Sequence, residues 1–272
     1  MPTLQSKPLT SGQAPVNGID MYYEVHGHRD GTPLVLLHGG GSTIEVTFSR
    51  VLPIFAGNRR VIAVEEQGHG RTTDRDAPVT FESSADDVAA LLGYLQVDQV
   101  DILGFSNGAS VALQVAIRHP QLVRKLVFAS SMTKRGGADP QFWEFMKQAD
   151  FSNMPQPLKD AFLRVNPDVN RLKVMHDKDA ARMRNFTDVP DALVGSVRAP
   201  TLIVLGDRDL VTAEHAIELT RLISGARLLI LPGGHGDYLG EAVMTQGETR
   251  YPELTARLIE EFLDSSHVRS SE

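Results

Sequence analysis

Residues 100–111 of this chain read VDILGFSNGASV. Val100, Ile102, Leu103 and Phe105 form the short apolar run of a buried strand. Residues 109–117 continue as a helix rich in Ala and Val, and Gly104-Phe105-Ser106-Asn107-Gly108 joins the two. The pattern is strand, tight turn, helix, with a serine at the apex. Reversing the chain within one residue demands a strained backbone at Ser106. Side chains at positions 104 and 108 would then collide with the strand and the helix, which accounts for both glycines. The same strain holds the hydroxyl clear of the sheet, while the helix directs its free N–H groups and positive dipole end at any negative charge forming beside Ser106. In a chain with 23 glycines a bare G-x-S-x-G also arises as a plain turn. The flanking strand and helix are what make Ser106 a candidate nucleophile.

Working upstream, residues up to about Gly12 read as a loose arm. Residues 14–16 and 19–26 read as a hairpin about the turn-forming Asn17-Gly18. Residues 33–37 (PLVLL) are a continuous apolar run of the kind covered on both faces of a sheet, and they end in His38-Gly39-Gly40-Gly41. Three glycines there permit close backbone approach and leave N–H groups available as donors; His38 reads as a structural residue bonding neighbouring loops. A helix is expected over 43–55 and a strand over 60–64. The loop EEQGHGRT (65–72) has neither Walker spacing nor a G-x-G-x-x-G opening a helix, and reads as a solvated crossover. Residues 81–95 have the spacing of an amphipathic helix.

Downstream, the helix after Ser106 stops near His119-Pro120, and 125–129 (KLVFA) is another strand. The alternation then breaks. Residues 133–197 contain Pro-separated helical pieces carrying Phe142, Trp143, Phe145, Met146, Phe151, Met154, Met175, Met183 and Phe186. A helical insertion of this size needs a surface to bury against, and the carboxyl edge of the sheet is the available one. It reads as a helical cap, with Trp143 facing substrate. The sheet resumes at 200–206 (PTLIVLG), followed by Asp207-Arg208-Asp209, a helix over 213–223, a strand over 227–231 ending in Pro232-Gly233-Gly234-His235, and a closing helix over 252–264. The expected fold is α/β, a doubly wound, mostly parallel sheet with residues 1–132 and 198–272 as the core and 133–197 as a cap inserted late in the sheet.

Each chemically able group follows the carboxyl end of an expected strand: Ser106, Asp207 or Asp209, His235 and the glycines after His38. A parallel sheet brings all those ends to one edge. Serine needs a base, histidine can take and return its proton, and a carboxylate fixes the imidazole tautomer and steadies its cation. The backbone N–H groups of Gly40 and Asn107 can receive a developing oxyanion.

With 272 residues, 42% hydrophobic and 22% charged, the chain can bury a full core. A net charge of −7 gives no footprint for nucleic acid. No apolar run approaches the roughly 20 residues of a membrane span, and residues 1–13 lack a signal-peptide core, so the expectation is a cytoplasmic protein. There is no cysteine, which removes thiol catalysis and zinc-thiolate sites. A small-molecule substrate with no metal and no cofactor is expected.

At this point the sequence resembles the α/β-hydrolase fold family over nearly its whole length. The elements that carry the resemblance are His38-Gly39-Gly40-Gly41, the elbow Gly104-Phe105-Ser106-Asn107-Gly108, Gly206-Asp207-Arg208-Asp209 and Pro232-Gly233-Gly234-His235, in the family's order Ser, Asp, His. The resemblance implies Ser106 as nucleophile, His235 as general base and Asp209 as its carboxylate partner. The loop after Val64, commonly Asp-x-Arg-Gly-x-Gly in the family, departs from that pattern with Glu66-Gln67 before Gly68. The implied reaction is hydrolysis of a carboxylic ester through an acyl-enzyme. C–C bond hydrolysis of a diketone, or a small-molecule receptor on the same fold, are the alternatives; the oligomeric state is not legible.

Overall fold

The computed structural model describes residues 7–266 apart from 29, 244–246 and 248; residues 1–6 of the expected N-terminal arm lie outside the described residues. The rest of that arm is not loose. Strand β1 (Thr10–Val16) pairs antiparallel with β2 (Ile19–His26) from Thr10 opposite Val25 onward. The turn between them carries positive φ at Asn17 (45°) and Gly18 (84°), the conformation that Asn-Gly supplies most readily.

Six parallel strands follow: β3 (Leu34–Leu37), β4 (Val61–Val64), β5 (Val100–Phe105), β6 (Val123–Ala129), β7 (Thr201–Gly206) and β8 (Arg227–Leu231). The order across the sheet is β1-β2-β4-β3-β5-β6-β7-β8, with β2 antiparallel to both its neighbours. β3, β4 and β5 are buried along their whole length, as continuous apolar runs require. Their side chains alternate between two cores. Val35, Leu37, Ile62 and Val64 pack with helices α3 (Phe81–Tyr94), α4 (Asn107–Arg118) and α9 (Ala213–Leu222). Leu34, Leu36, Val61 and Ala63 pack with α1 (Ile44–Phe48), α2 (Leu52–Asn58) and α10 (Tyr251–Asp264). The sheet is therefore doubly wound.

The single helix expected over 43–55 is two. Pro53 cannot donate to residue 49, and its ring crowds that carbonyl, so α1 ends at Phe48 and α2 begins anew with Pro53 in its first turn. Thr80 and Ser83 form a reciprocal capping box that sets the start of α3. Between β6 and β7 run α5 (Pro140–Lys147), α6 (Gln156–Val165), α7 (Val169–Arg184) and α8 (Asp191–Val194). These helices have two small cores of their own, one around Trp143, Met183 and Phe186 and one around Phe162, Leu172 and Met175. They also reach the sheet's carboxyl edge: Asn166 Nδ2 donates to the Gly70 carbonyl at 2.9 Å and Arg171 to that of Thr72 at 3.0 Å.

Candidate active site

Ser106 caps α4 with φ 54° and ψ −122°, a strained positive-φ conformation that the turn demands of a non-glycine residue. The reason for the flanking glycines is measurable. A methyl group at Gly104 would stand 2.2 Å from the Gly108 carbonyl oxygen, and one at Gly108 would stand 2.2 Å from that of Leu37. Beyond the turn, Ser106 Oγ lies 3.0 Å from His235 Nε2, and His235 Nδ1 lies 2.7 Å from Asp209 Oδ1. His235 is carried on the loop after β8 between Gly233 (φ 126°) and Gly236 (φ 88°), with its ring against Phe105.

The two candidate carboxylates separate cleanly. Asp207 is exposed and its Oδ1 accepts the Gly233 N–H at 2.8 Å, tying the β7 loop to the β8 loop. The Asp209 side chain is fully buried, and both its oxygens are occupied. Oδ1 receives Val211 N–H at 3.2 Å besides the imidazole; Oδ2 receives Gly206 N–H at 3.3 Å and the Ser130 hydroxyl. Burial alone would raise its pKa, but the His235 charge and hydrogen bond, Ser130 and the Val211 N–H outweigh burial and lower it. Behind Ser130 stands Tyr238, 2.6 Å from its Oγ; burial and the Asp209 charge raise the phenol pKa, so Tyr238 donates to Ser130 and Ser130 donates to Asp209. The other serine near the β6 end, Ser131, pairs with Ser110 at 2.8 Å.

Gly40 and Asn107 border Ser106 on one cavity of about 190 Å³. Among the described residues neither backbone N–H has an acceptor. Much of the wall is apolar and comes from residues 133–197: Phe142, Phe145, Met146, Met154, Leu158 and Met183. Trp143 is not on it. Its indole donates to the Arg135 carbonyl at 2.7 Å, lies under the Arg135 guanidinium and packs on Phe186, because α5 turns the Phe142–Met146 face, not position 143, to the cavity. A larger cleft of about 650 Å³ on the other side of α7 borders none of Ser106, His235 or Asp209, whereas Ser106 lines the smaller one. No cluster of three or more His, Cys, Asp or Glu placed to hold a metal occurs among the described residues. Nor is any of their helices long and apolar enough to cross a membrane.

His38 is buried at the end of β3, with Nδ1 2.7 Å from the Gly39 carbonyl and Nε2 accepting the Glu66 N–H at 3.2 Å. Burial and the neighbouring His69 lower its pKa to about 4, which suits a neutral structural ring. The loop 65–72 corrects the sequence reading. Instead of being solvated, Glu65, Glu66, Gln67, His69 and Thr72 are buried, because α7 lies over them. Arg182 of α7 pairs with Glu66 at 2.8 Å and with Asp179 at 2.5 Å, and Asp179 Oδ2 meets His69 Nε2 at 3.1 Å and accepts the Gly41 N–H at 2.6 Å. Sequence reasoning missed this cluster. Its one visible signal is Asp179 and Arg182 three apart on a helix, flanked by Ala180, Ala181 and Met183, where two solvated charges would not be expected.

Residues 32–170 match the family model described as alpha/beta hydrolase fold. The chain is 28% identical over 247 residues to the human serine hydrolase BPHL, covering 83% of this chain and 80% of that protein. It is 30% identical over 232 residues to the pimeloyl-[acyl-carrier protein] methyl ester esterase of Neisseria meningitidis serogroup A (76% and 72%). Over 255 residues it is 27% identical to the 2-hydroxymuconate semialdehyde hydrolase of Pseudomonas sp. strain CF600 (80% and 90%).

Proposed function

The chain belongs to the α/β hydrolase fold family and is an enzyme of the hydrolase class; we propose that it cleaves a carboxylic ester through an acyl-enzyme on Ser106. The observation that carries this reading is the unbroken relay from Asp209 through His235 to Ser106, at 2.7 and 3.0 Å, opening on a cavity with two free backbone N–H groups. The esterase relative supports the ester as the bond broken.

Ser106 Oγ attacks the ester carbonyl carbon as its proton passes to His235 Nε2. Asp209 holds Nδ1–H and balances the imidazolium, while the Gly40 and Asn107 N–H groups receive the oxyanion. His235 then protonates the leaving alcohol, the C–O bond breaks and the acyl group remains on Ser106. A water molecule, deprotonated by the same nitrogen, attacks the acyl carbon and releases the acid, returning the proton to Ser106. Each oxyanion donor is worth roughly 10²–10³ in rate.

Residues 133–197 form a cap in this reading. Their Phe and Met side chains make the cavity wall apolar, and its volume of about 190 Å³ is below the range usual for drug-sized ligands, which favours short apolar acyl groups. The test is a panel of p-nitrophenyl acetate, butyrate and octanoate beside a lactone and a dienone. Fast turnover of the short esters supports the proposal. Turnover of the dienone alone would make the enzyme a C–C bond hydrolase, the reading favoured by the similarity to the semialdehyde hydrolase. No turnover of any of them would reject this substrate class for the enzyme.

A further inference from the structure

Four buried side chains outside the relay converge behind the glycine loop: Glu66 and His69 from the loop after β4, and Asp179 and Arg182 from α7. None touches Ser106 or His235, and the ester reaction as written uses none of them. Asp179 nevertheless borders the same cavity as Ser106, and a methyl group at Gly40 would stand 2.9 Å from its Oδ2. A carboxylate this close to where an oxyanion must form opposes catalysis unless it is neutralised and serves the loop.

Both its oxygens are committed, so it does not await a substrate group. Oδ1 takes the Arg182 guanidinium at 2.5 Å, and Oδ2 takes the Gly41 N–H at 2.6 Å. His69 faces an acceptor at each nitrogen, the Gln67 carbonyl at 3.0 Å from Nδ1 and Asp179 Oδ2 at 3.1 Å from Nε2. A ring between two such oxygens is best satisfied as the imidazolium, donating twice. The Gly41 N–H also passes 3.3 Å from Nε2, but its shorter bond is to the carboxylate. Two anions, Glu66 and Asp179, then stand against two cations, Arg182 and His69, and the buried cluster is neutral.

We propose that Asp179 is a positioning residue: by taking the Gly41 N–H it fixes the Gly40–Gly41 peptide and so the backbone at Gly40, whose own N–H, on the preceding peptide, is thereby held free beside that of Asn107 to receive the oxyanion, and Arg182 and His69 screen its charge. This rests on the oxyanion role assigned to Gly40 above. It makes α7 a strut of the catalytic loop as well as a wall of the cavity.

The test compares Asp179→Asn, which with its oxygen toward Gly41 keeps that acceptor and sets its NH2 against Arg182, with the double variant Asp179→Ala/Arg182→Met, which removes the acceptor together with its guanidinium partner and leaves Glu66 and His69 as one anion and one cation. Each is measured for kcat, KM and affinity for a trifluoromethyl ketone, whose adduct with a serine carries an oxyanion. Ser106→Ala is run alongside. The double variant should lose about 10- to 100-fold in kcat, a part of what losing a whole oxyanion donor costs. It should lose a similar factor in ketone affinity, at a KM within about threefold of wild type, while Asp179→Asn keeps most of both. Unchanged kcat and ketone affinity in the folded double variant would overturn the proposal, as would equal damage in Asp179→Asn. Turnover that survives Ser106→Ala would instead overturn the nucleophile assignment, a separate result.

Discussion

Asp209→Asn tests the relay most sharply, because both carboxylate oxygens are already spoken for. An Asn placed with its oxygen toward His235 sets its NH2 against the Gly206 N–H at 3.3 Å; turned over, it sets NH2 against the Val211 N–H at 3.2 Å. In the second orientation His235 must accept at Nδ1, so Nε2 carries the proton and cannot take one from Ser106. Either way the negative charge is gone. With the imidazolium about 4 Å from the centre of the lost charge and an effective dielectric near 20, that charge is worth about 4 kcal/mol, or roughly 10³ in rate. The tautomer penalty adds to this, and serine triads treated the same way lose about 10⁴. The expected loss in kcat is therefore about 10³–10⁴, measured on the best p-nitrophenyl ester. The mismatched donor costs about 1–2 kcal/mol, a fall of roughly 2–8 °C in Tm. Asp207→Asn keeps an oxygen for the Gly233 N–H and should stay within a fewfold of wild type. A kcat for Asp209→Asn within tenfold of wild type would refute this assignment.

Ser106→Ala should abolish labelling by a fluorophosphonate probe; label that persists would move the nucleophile to another serine. Trp143→Ala should leave the ranking of ester chain lengths unchanged while lowering stability by about 3–5 kcal/mol, seen as a large drop in Tm, whereas Phe145→Ala, on the cavity and half exposed, should change the ranking at a similar Tm. Burial raises the pKa of Glu65 from 4.5 to about 7 against the pull of Arg71. Folding therefore favours its protonated form, and this contribution, on the order of 3 kcal/mol, is complete below about pH 4.5 and lost as pH rises through 7. Tm should accordingly fall between pH 5 and pH 8, and Glu65→Gln should flatten the fall; an unchanged slope in that variant would sink the assignment.

The strands were legible because β3, β4 and β5 are buried on both faces and leave continuous apolar runs. Ser106 and His235 were legible as candidates because each follows an apolar run, β5 buried throughout and β8 at the sheet's edge. Asp207 and Asp209 follow the same run, two residues apart; the resemblance pointed to Asp209, and burial and loop contacts distinguish the two. The split at Pro53 was readable in principle. The orientation of α5 was not, since a short helix between prolines shows which residues are apolar but not which face meets the sheet. The buried loop 65–72 was hidden for a stronger reason. Glu65 and Arg71 pair within it, but Glu66 and His69 find their partners on α7, 110 to 116 residues away, and without those partners a polar, glycine-rich segment looks like a solvated one.

The contacts at Gly104 and Gly108 leave no side chain between β5, α4 and the end of β3. Main chain meets main chain, so the offset between the serine and the glycine loop is a property of the polypeptide itself, common to every sequence that keeps glycine at these two positions. Changes of volume in the aliphatic layers above and below the sheet have no lever on it. The apolar cavity wall can thus diverge toward new substrates without the reacting atoms having to be realigned each time, and a laboratory library should draw its diversity from residues 142–158 while holding 104, 108, 179 and 182 constant.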